Sequence, residues 1–174
     1  QGHRVRAFDL RTRANLRAAR RFGDSLELSW GDVRNPPDLA PAVAGVDAVA
    51  HIAFVIPPES ERRPEWAREI NVTGTRNLIA AMQACPHPPR LVYTSSVAAY
   101  GFHEDNPQPL TEDVPTRGTE AHPYSAQKAE LERVLDEAIA DASGMETYVF
   151  RPCIVAGPDA TMLVDAIPYV RINE

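Results

Sequence analysis

Asp47-Ala-Val-Ala-His-Ile52, the stretch Glu65 to Cys85, and Leu91-Val-Tyr-Thr-Ser95 together decide the fold. The first and last are short apolar runs of strand length. The stretch between them carries Trp66, Ile70, Leu78, Ile79 and Met82 in helical register, and Pro64 stands where a first turn would begin. Strand, long helix, strand is a βαβ unit, which requires a parallel pair. Working outward, the same alternation continues on both sides. Arg4 to Phe8 reads as a strand ending at Asp9, a helical stretch follows near Arg13 to Arg21, and Leu26 to Trp30 is a strand closed by Gly31-Asp32. Pro36 to Ala44 reads as a short helix, Tyr124 to Asp141 as a helix, and Glu146 to Phe150 as a strand. The longest connections, Pro57 to Arg63 and His103 to His122, are long enough to serve a site.

Composition narrows the function classes. A chain of 174 residues can bury a sizeable core in one domain, and 44% hydrophobic with 24% charged residues is ordinary for a globular protein. A net charge of −6 without a long basic run argues against nucleic acid or a membrane surface as partner. The arginines between Arg11 and Arg21 are interleaved with apolar residues, as on a helix with a solvated face. No apolar stretch reaches transmembrane length and no signal peptide is visible, so a cytoplasmic location is expected. Cys85 and Cys153 lie far apart with no His or Cys at ligand spacing. They are expected to be thiols in a reducing compartment, and no metal site is expected.

The chemistry centres on Tyr124-Ser-Ala-Gln-Lys128. Tyr and Lys four apart share one face of a helix, a turn from each other. An unperturbed phenol titrates near ~10, too high for a base at neutral pH, and a nearby cation favours the phenolate. Taken alone, the pair reads either as a solvated helix face or as a general acid/base.

In chain order, Val5-Arg-Ala-Phe-Asp9, Gly31-Asp-Val-Arg-Asn35, His51-Ile-Ala53, Asn71-Val-Thr-Gly-Thr75, Tyr93-Thr-Ser-Ser96 with Tyr100-Gly101, Tyr124-x-x-x-Lys128, and Arg151-Pro152 with Gly157-Pro158 resemble the motifs of the extended short-chain dehydrogenase/reductases, the NAD-dependent epimerase/dehydratase family. The resemblance covers nearly all of the chain. It implies an α/β doubly wound parallel sheet, the Rossmann fold, with ligands at the carboxyl ends of the strands. It implies Ser96, Tyr124 and Lys128 as the catalytic trio, with Ser96 orienting a substrate oxygen toward Tyr124 and Lys128 also holding the nicotinamide ribose. It implies NAD as cofactor. Asp9 would accept the adenosine ribose hydroxyls and repel the extra phosphate of NADP, although the nearby Arg11 would favour that phosphate. Asp32 and Val33 would meet the adenine edge and face. Ala53 and Phe54 would run past the phosphates, where small residues are usual and Phe54 departs from the pattern. Ser95, Pro152 and Ile154 would complete the cofactor site. Asn71 would hold the local backbone beside it, and His51 is expected to be a core or strand-end histidine. Relatives that dehydrate sugar nucleotides carry an acidic pair directly after the hydroxyl residue. Val97 and Ala98 stand there, which disfavours dehydration and leaves epimerisation or simple oxidoreduction.

The resemblance also implies parts not seen here: a first strand, glycine-rich loop and helix ahead of Gln1, and most of a C-terminal substrate domain. Residues 1–157 would be the dinucleotide-binding domain and 158–174 the start of the substrate domain. The expected substrate is a nucleotide sugar, with a steroid-like or other small carbonyl compound as the alternative. A non-catalytic NAD(P)-sensing module is the alternative of another class. Apolar residues on more than one side of the helices 65–85 and 124–141 lead us to expect a homodimer, pairing these helices across a two-fold axis.

Overall fold

A computed structural model describes residues 2–140 and 144–155. The segment 158–174, assigned above to a second domain, and the Gly157-Pro158 motif lie outside the described residues.

The described residues form five strands and six α-helices, α3, α4 and α5 following one another between β3 and β4. β1 (Val5–Asp9) is followed by α1 (Arg13–Ala19), whose first turn is capped by Thr12: its hydroxyl accepts from the Asn15 amide at 3.1 Å. β2 (Leu26–Trp30) runs into Gly31 and then α2 (Pro36–Val43), which begins with proline at its first position. A Cβ on Gly31 would lie 2.5 Å from the Asp38 Cβ and 2.8 Å from the Phe8 ring, so only glycine fits where β2 turns toward α2. β3 (Ala48–His51) leads through a loop to α3 (Glu59–Arg62) and α4 (Pro64–Arg68). A π-helical turn at Glu69–Thr73 joins α4 to α5 (Gly74–Gln83). The expected long helix is thus present but interrupted by this turn, which contains Asn71. The remaining elements are β4 (Arg90–Thr94), a 3-10 turn at Val97–Tyr100, α6 (Pro123–Ala140) and β5 (Thr147–Phe150). The short helix α3 falls in Pro57 to Arg63, read from sequence as a loop.

All pairings are parallel, as the βαβ reading requires, but the sheet comes in two pieces: β1 with β2, and β3 with β4 and β5. Among the described residues β1 and β3 each keep one unpaired edge. Register sets the faces. Val49, Leu91 and Thr147 align on one face with His51, Tyr93 and Val149, and α5 and α6 cover that face. Ala48, Ala50, Tyr148 and Phe150 point the other way and are exposed.

The core lies between the β3–β4–β5 sheet and the helices. Leu78, Ile79 and Met82 of α5 meet Leu131, Val134 and Leu135 of α6 over Leu91 and Tyr93, and Leu39 and Val43 of α2 close the far side. Phe8 and Val33 pack against the same cluster and tie the β1–β2 pair to it. The apolar residues from which pairing of two chains was expected are therefore mostly used inside this chain. α5 needs a wide apolar surface because it packs on the sheet, α6 and α2 together. Trp66 and Ile70 stay half-exposed and Ile139 exposed.

Candidate active site

α6 begins at Pro123, so Tyr124, Lys128 and Glu132 follow at four-residue steps on one stripe of the helix. The start of α6 is pinned to the turn after β4. Ser125 donates its hydroxyl to the Ala98 carbonyl at 2.6 Å and accepts from the Thr119 amide at 3.0 Å, while the Gly118 amide donates to Ala99 O at 2.9 Å. These bonds bring Tyr124 beside the 3-10 turn that Ser96 initiates. The Ser96 hydroxyl accepts from the Ala98 amide at 3.1 Å, so its own proton remains available to donate. Catalytic candidates 28 residues apart in sequence thus share one end of the sheet.

Lys128 is almost completely enclosed, 2% exposed. Its ammonium donates to the Thr94 carbonyl at 2.7 Å and to the Tyr93 hydroxyl at 3.4 Å. It lies 3.7 Å from the centre of the Phe54 ring, 4.9 Å from that of Tyr93 and 5.7 Å from that of Tyr124. Burial pushes its pKa down from 10.5 to about 7, and the Glu132 carboxylate opposes that fall. Phe54 stands edge-on to the Tyr124 ring at 5.5 Å. The residue that departs from the family pattern therefore touches both members of the Tyr-Lys pair. Burial also raises the Tyr93 phenol, followed in effect by Glu132, which keeps that hydroxyl protonated.

His51 is buried as expected, bonded through Nε2 to the Thr75 hydroxyl at 2.8 Å and stacked on Tyr93. Burial, and then the charge of Lys128, pushes its pKa to about 4, so it is neutral at neutral pH. Asn71, fully buried in the π turn, brackets the loop after β3. It accepts from the Val55 amide at 2.7 Å and donates to Val55 O at 3.1 Å and to Gln127 Oε1 at 2.7 Å. The π turn supplies the offset that aims this side chain at the loop, a recurrent use of such turns. Asn71 is thus a support for Ala53 and Phe54, not itself a surface open to a cofactor.

The other expected cofactor residues separate into two groups. Ala53 and Ile154 are exposed and Pro152 half-buried at the ends of β3 and β5, with the Val97 amide bonded to Pro152 O at 3.2 Å. Asp9 is exposed at the end of β1, where among the described residues its carboxylate accepts only from the Leu10 amide at 2.7 Å. Asp32 follows β2 and is held by Arg34, whose guanidinium lies 2.5 Å from it and lowers its pKa. Val33 packs against Gly74, where a Cβ would come within 2.6 Å of it. Ser95 requires a correction: it is 3% exposed and its hydroxyl donates inward to Glu132, so its side chain does not face the cofactor site. Sequence reasoning passed over Glu132 and Gln127. The available signal was their register: an acid four residues beyond Lys128, set beside Leu131, Val134 and Leu135 on a buried stripe.

A half-buried Tyr124 one turn before a buried Lys128, a hydroxyl donor after the fourth strand, and carboxylates at the ends of the first two stand at one end of the strands. The chain belongs to the NAD dependent epimerase/dehydratase family, whose model matches residues 1–171. It is 36% identical over 148 residues to human 3 beta-hydroxysteroid dehydrogenase type 7, covering 78% of this chain and 38% of that protein. It is 36% identical over 114 residues to UDP-glucose 4-epimerase of Lactobacillus helveticus, covering 64% of this chain and 32% of the epimerase. Among solved structures it resembles a Streptomyces venezuelae dTDP-glucose 4,6-dehydratase with NAD bound, with a TM-score of 0.77 at 26% identity, covering 95% of this chain and 54% of that one. A Stenotrophomonas maltophila UDP-glucose-4-epimerase with bound NAD superimposes with a TM-score of 0.71 at 27% identity, over 87% of this chain and 46% of that one. The chain spans about two fifths of the length of the first curated relatives it matches.

Proposed function

We propose that this chain carries the dinucleotide-binding and catalytic part of an NAD-dependent oxidoreductase or epimerase that acts at a hydroxyl-bearing carbon of a nucleotide sugar. The observation that carries the proposal is the Lys128 ammonium, buried yet titrating near neutrality, one helical turn beyond a Tyr124 that stays open to the site. A solvated helix face would not bury a lysine at 2% exposure.

The residues present fit the cofactor. Asp9 has spare acceptor capacity at an exposed strand end, and the Lys128 ammonium, held by Thr94 O and Tyr93 OH, lies 5.7 Å from the centre of the Tyr124 ring. When bound, NAD would supply the hydride acceptor and donor. The chain's own residues do the rest. Ser96 donates a hydrogen bond to the substrate oxygen and fixes its orientation. Tyr124 removes the hydroxyl proton in one direction and returns it in the other. Lys128 supplies positive charge beside that phenol oxygen and would hold the nicotinamide ribose. Val97 and Ala98 offer no acid or base after Ser96, which favours epimerisation or oxidoreduction over elimination of water. NAD is preferred over NADP because Asp9 would repel a 2′-phosphate.

A steroid-like alcohol is the second reading, favoured by the identity to the human 3 beta-hydroxysteroid dehydrogenase. We place the protein in the cytoplasm as a homodimer through α4–α5 and α6, with Trp66, Ile70 and Ile139 as the apolar residues left for that contact. No helix among the described residues is long and apolar enough to cross a membrane. The deciding experiment incubates the intact protein and NAD with UDP-hexoses and, separately, with a 3β-hydroxysteroid, following reduced nicotinamide and sugar configuration. Epimerised or oxidised sugar supports the proposal, and oxidation of the steroid alone selects the second reading. Tight NAD binding with no turnover of any hydroxyl compound would leave a dinucleotide-sensing module.

A further inference from the structure

Glu132 accepts four hydrogen bonds, three from Arg151 and one from Ser95, and the acid/base scheme gives it no proton to move. It lies on α6 one turn beyond Lys128, 4% exposed, among leucines and valines. Its carboxylate accepts from Arg151 Nε at 2.9 and 3.1 Å and from Arg151 Nη2 at 2.6 Å, a forked ion pair reaching the end of β5. The same carboxylate accepts the Ser95 hydroxyl at the end of β4. Arg151 in turn donates through Nη1 to the Tyr100 hydroxyl and to the Glu112 carbonyl, both at 2.9 Å. One buried anion therefore joins four pieces of chain: the catalytic helix, two strand ends and the loop after the 3-10 turn.

We propose that Glu132 is the positioning residue of this site, clamping the Ser95–Tyr100 turn to α6 so that Ser96 and Tyr124 keep one fixed relation. The inference rests on the hydride-transfer reading only for its consequence in catalysis; the clamp itself is a statement about Glu132, Ser95 and Arg151. Ser95 is the residue adjoining Ser96, so its tether fixes the backbone from which the Ser96 hydroxyl projects. Without the carboxylate, the Arg151 guanidinium would stay beside α6 without its counter-charge. Relief of that unpaired charge draws Arg151, and with it Tyr100 and the Glu112 loop, toward water. A hydrophobic side chain at 132 could fill the volume but could not hold either strand end.

The test makes Glu132→Gln, Ser95→Ala, Ser96→Ala and the Glu132→Gln/Ser96→Ala and Ser95→Ala/Ser96→Ala pairs in the intact protein. Ser95→Ala leaves the ion pair whole and cuts only the tether to β4, so it reports even where Glu132→Gln folds poorly. Hydrogen exchange is followed in peptides spanning 95–101 and, as reference, in β1 and β2. The clamp requires exchange in 95–101 at least about tenfold faster in Glu132→Gln and Ser95→Ala, with the reference peptides unchanged. It also requires rate losses from Ser95→Ala and Ser96→Ala, and from Glu132→Gln and Ser96→Ala, that do not multiply in combination. Unchanged exchange in 95–101, or an equal increase throughout the protein, overturns the proposal. If Ser96→Ala turns over normally, the catalytic reading of Ser96 fails while the exchange result still decides the clamp.

Discussion

The two ends of the site hold their charges differently. At the end of β1 and β2, Asp9 and Asp32 sit at the surface. Among the described residues Asp9 bonds only its own neighbour, and the Asp32–Arg34 pair is 26% and 39% exposed. At the end of β3, β4 and β5, Lys128, Glu132 and His51 are all below 7% exposed and each is bonded to a residue distant in sequence. Exposed pairs contribute about 0–1 kcal/mol, whereas breaking a buried one costs about 3–5 kcal/mol. The β1–β2 end can therefore be altered with little consequence for folding, while at the other end chemistry and stability are inseparable. Recognition of a solvated ribose needs only placed acceptors. Proton transfer needs a desolvated, fixed geometry.

The largest effect belongs to Tyr124. Tyr124→Phe in the intact protein is expected to lower turnover by about 10²–10⁴-fold, the range typical of a lost general acid/base. NAD affinity, measured by titration, should stay within about threefold, since the ring that contacts Phe54 is retained. A Phe variant that keeps its rate would remove the catalytic end from the comparison altogether.

His51 makes the cost of burial measurable as a pH dependence. Its pKa is about 4 in the folded chain against 6.5 ordinarily, so between those values the unfolded chain binds a proton that the folded one does not. Stability then falls as pH drops from 6.5 toward 4, by roughly 3 kcal/mol from this group. Lys128, lowered from 10.5 to about 7, has the same sign over that higher window, adding stability as pH rises. Urea unfolding of wild type and His51→Gln at several pH values isolates the histidine. The stability advantage of wild type should shrink toward pH 4, and an advantage that stays constant would break the assignment.

These same ends differ in how legible they were in the sequence. β2 was read with its observed bounds, β5 and α6 within a residue at each end, because apolar runs and helical register are local signals. Motif spacing put Ser96, Tyr124, Lys128 and Asp9 at strand ends and a helix start, and the structure has them there. Glu132 was not legible, since its partners Ser95 and Arg151 are 37 and 19 residues away and only the folded sheet brings them together. Ser95 was misread for the same reason: next to Ser96 in sequence, it points to the opposite side. The π turn at Glu69–Thr73 also escaped, because helical register survives across it and only the poor helix former Asn71 hinted at its place. The wide apolar surface of α5 was read as a second partner. In the structure α2 and α6 take up most of it.

Cofactor choice is a smaller effect, confined to the exposed end. Asp9→Asn keeps an acceptor and removes the charge. It is expected to narrow the preference for NAD over NADP by about tenfold, ~1.4 kcal/mol, with Arg11 available to the added phosphate. Titration of both dinucleotides against wild type and variant reads this directly, and NADP binding more tightly to the wild type would reverse the role given to Asp9.

The smallest effect should come from Arg34, and it tests the comparison most directly. The Arg34 guanidinium is 2.5 Å from Asp32 and 3.8 Å from Glu69, so by distance alone it rivals the Arg151–Glu132 contact at 2.6 Å. What separates the two is water: Glu132 and Arg151 are 5% and 23% exposed as side chains, Asp32 and Arg34 26% and 39%. In Arg34→Ala the Asp32 carboxylate is simply resolvated, and its amide is still bonded by Asp38 at 2.9 Å, so the turn after β2 survives. Unfolding free energy is expected to change by no more than about 1 kcal/mol, and less still at high salt. NAD should bind no more weakly, since Asp32 is released for the adenine edge. A loss of stability as large as that of Glu132→Gln would show that distance, and not desolvation, governs these pairs.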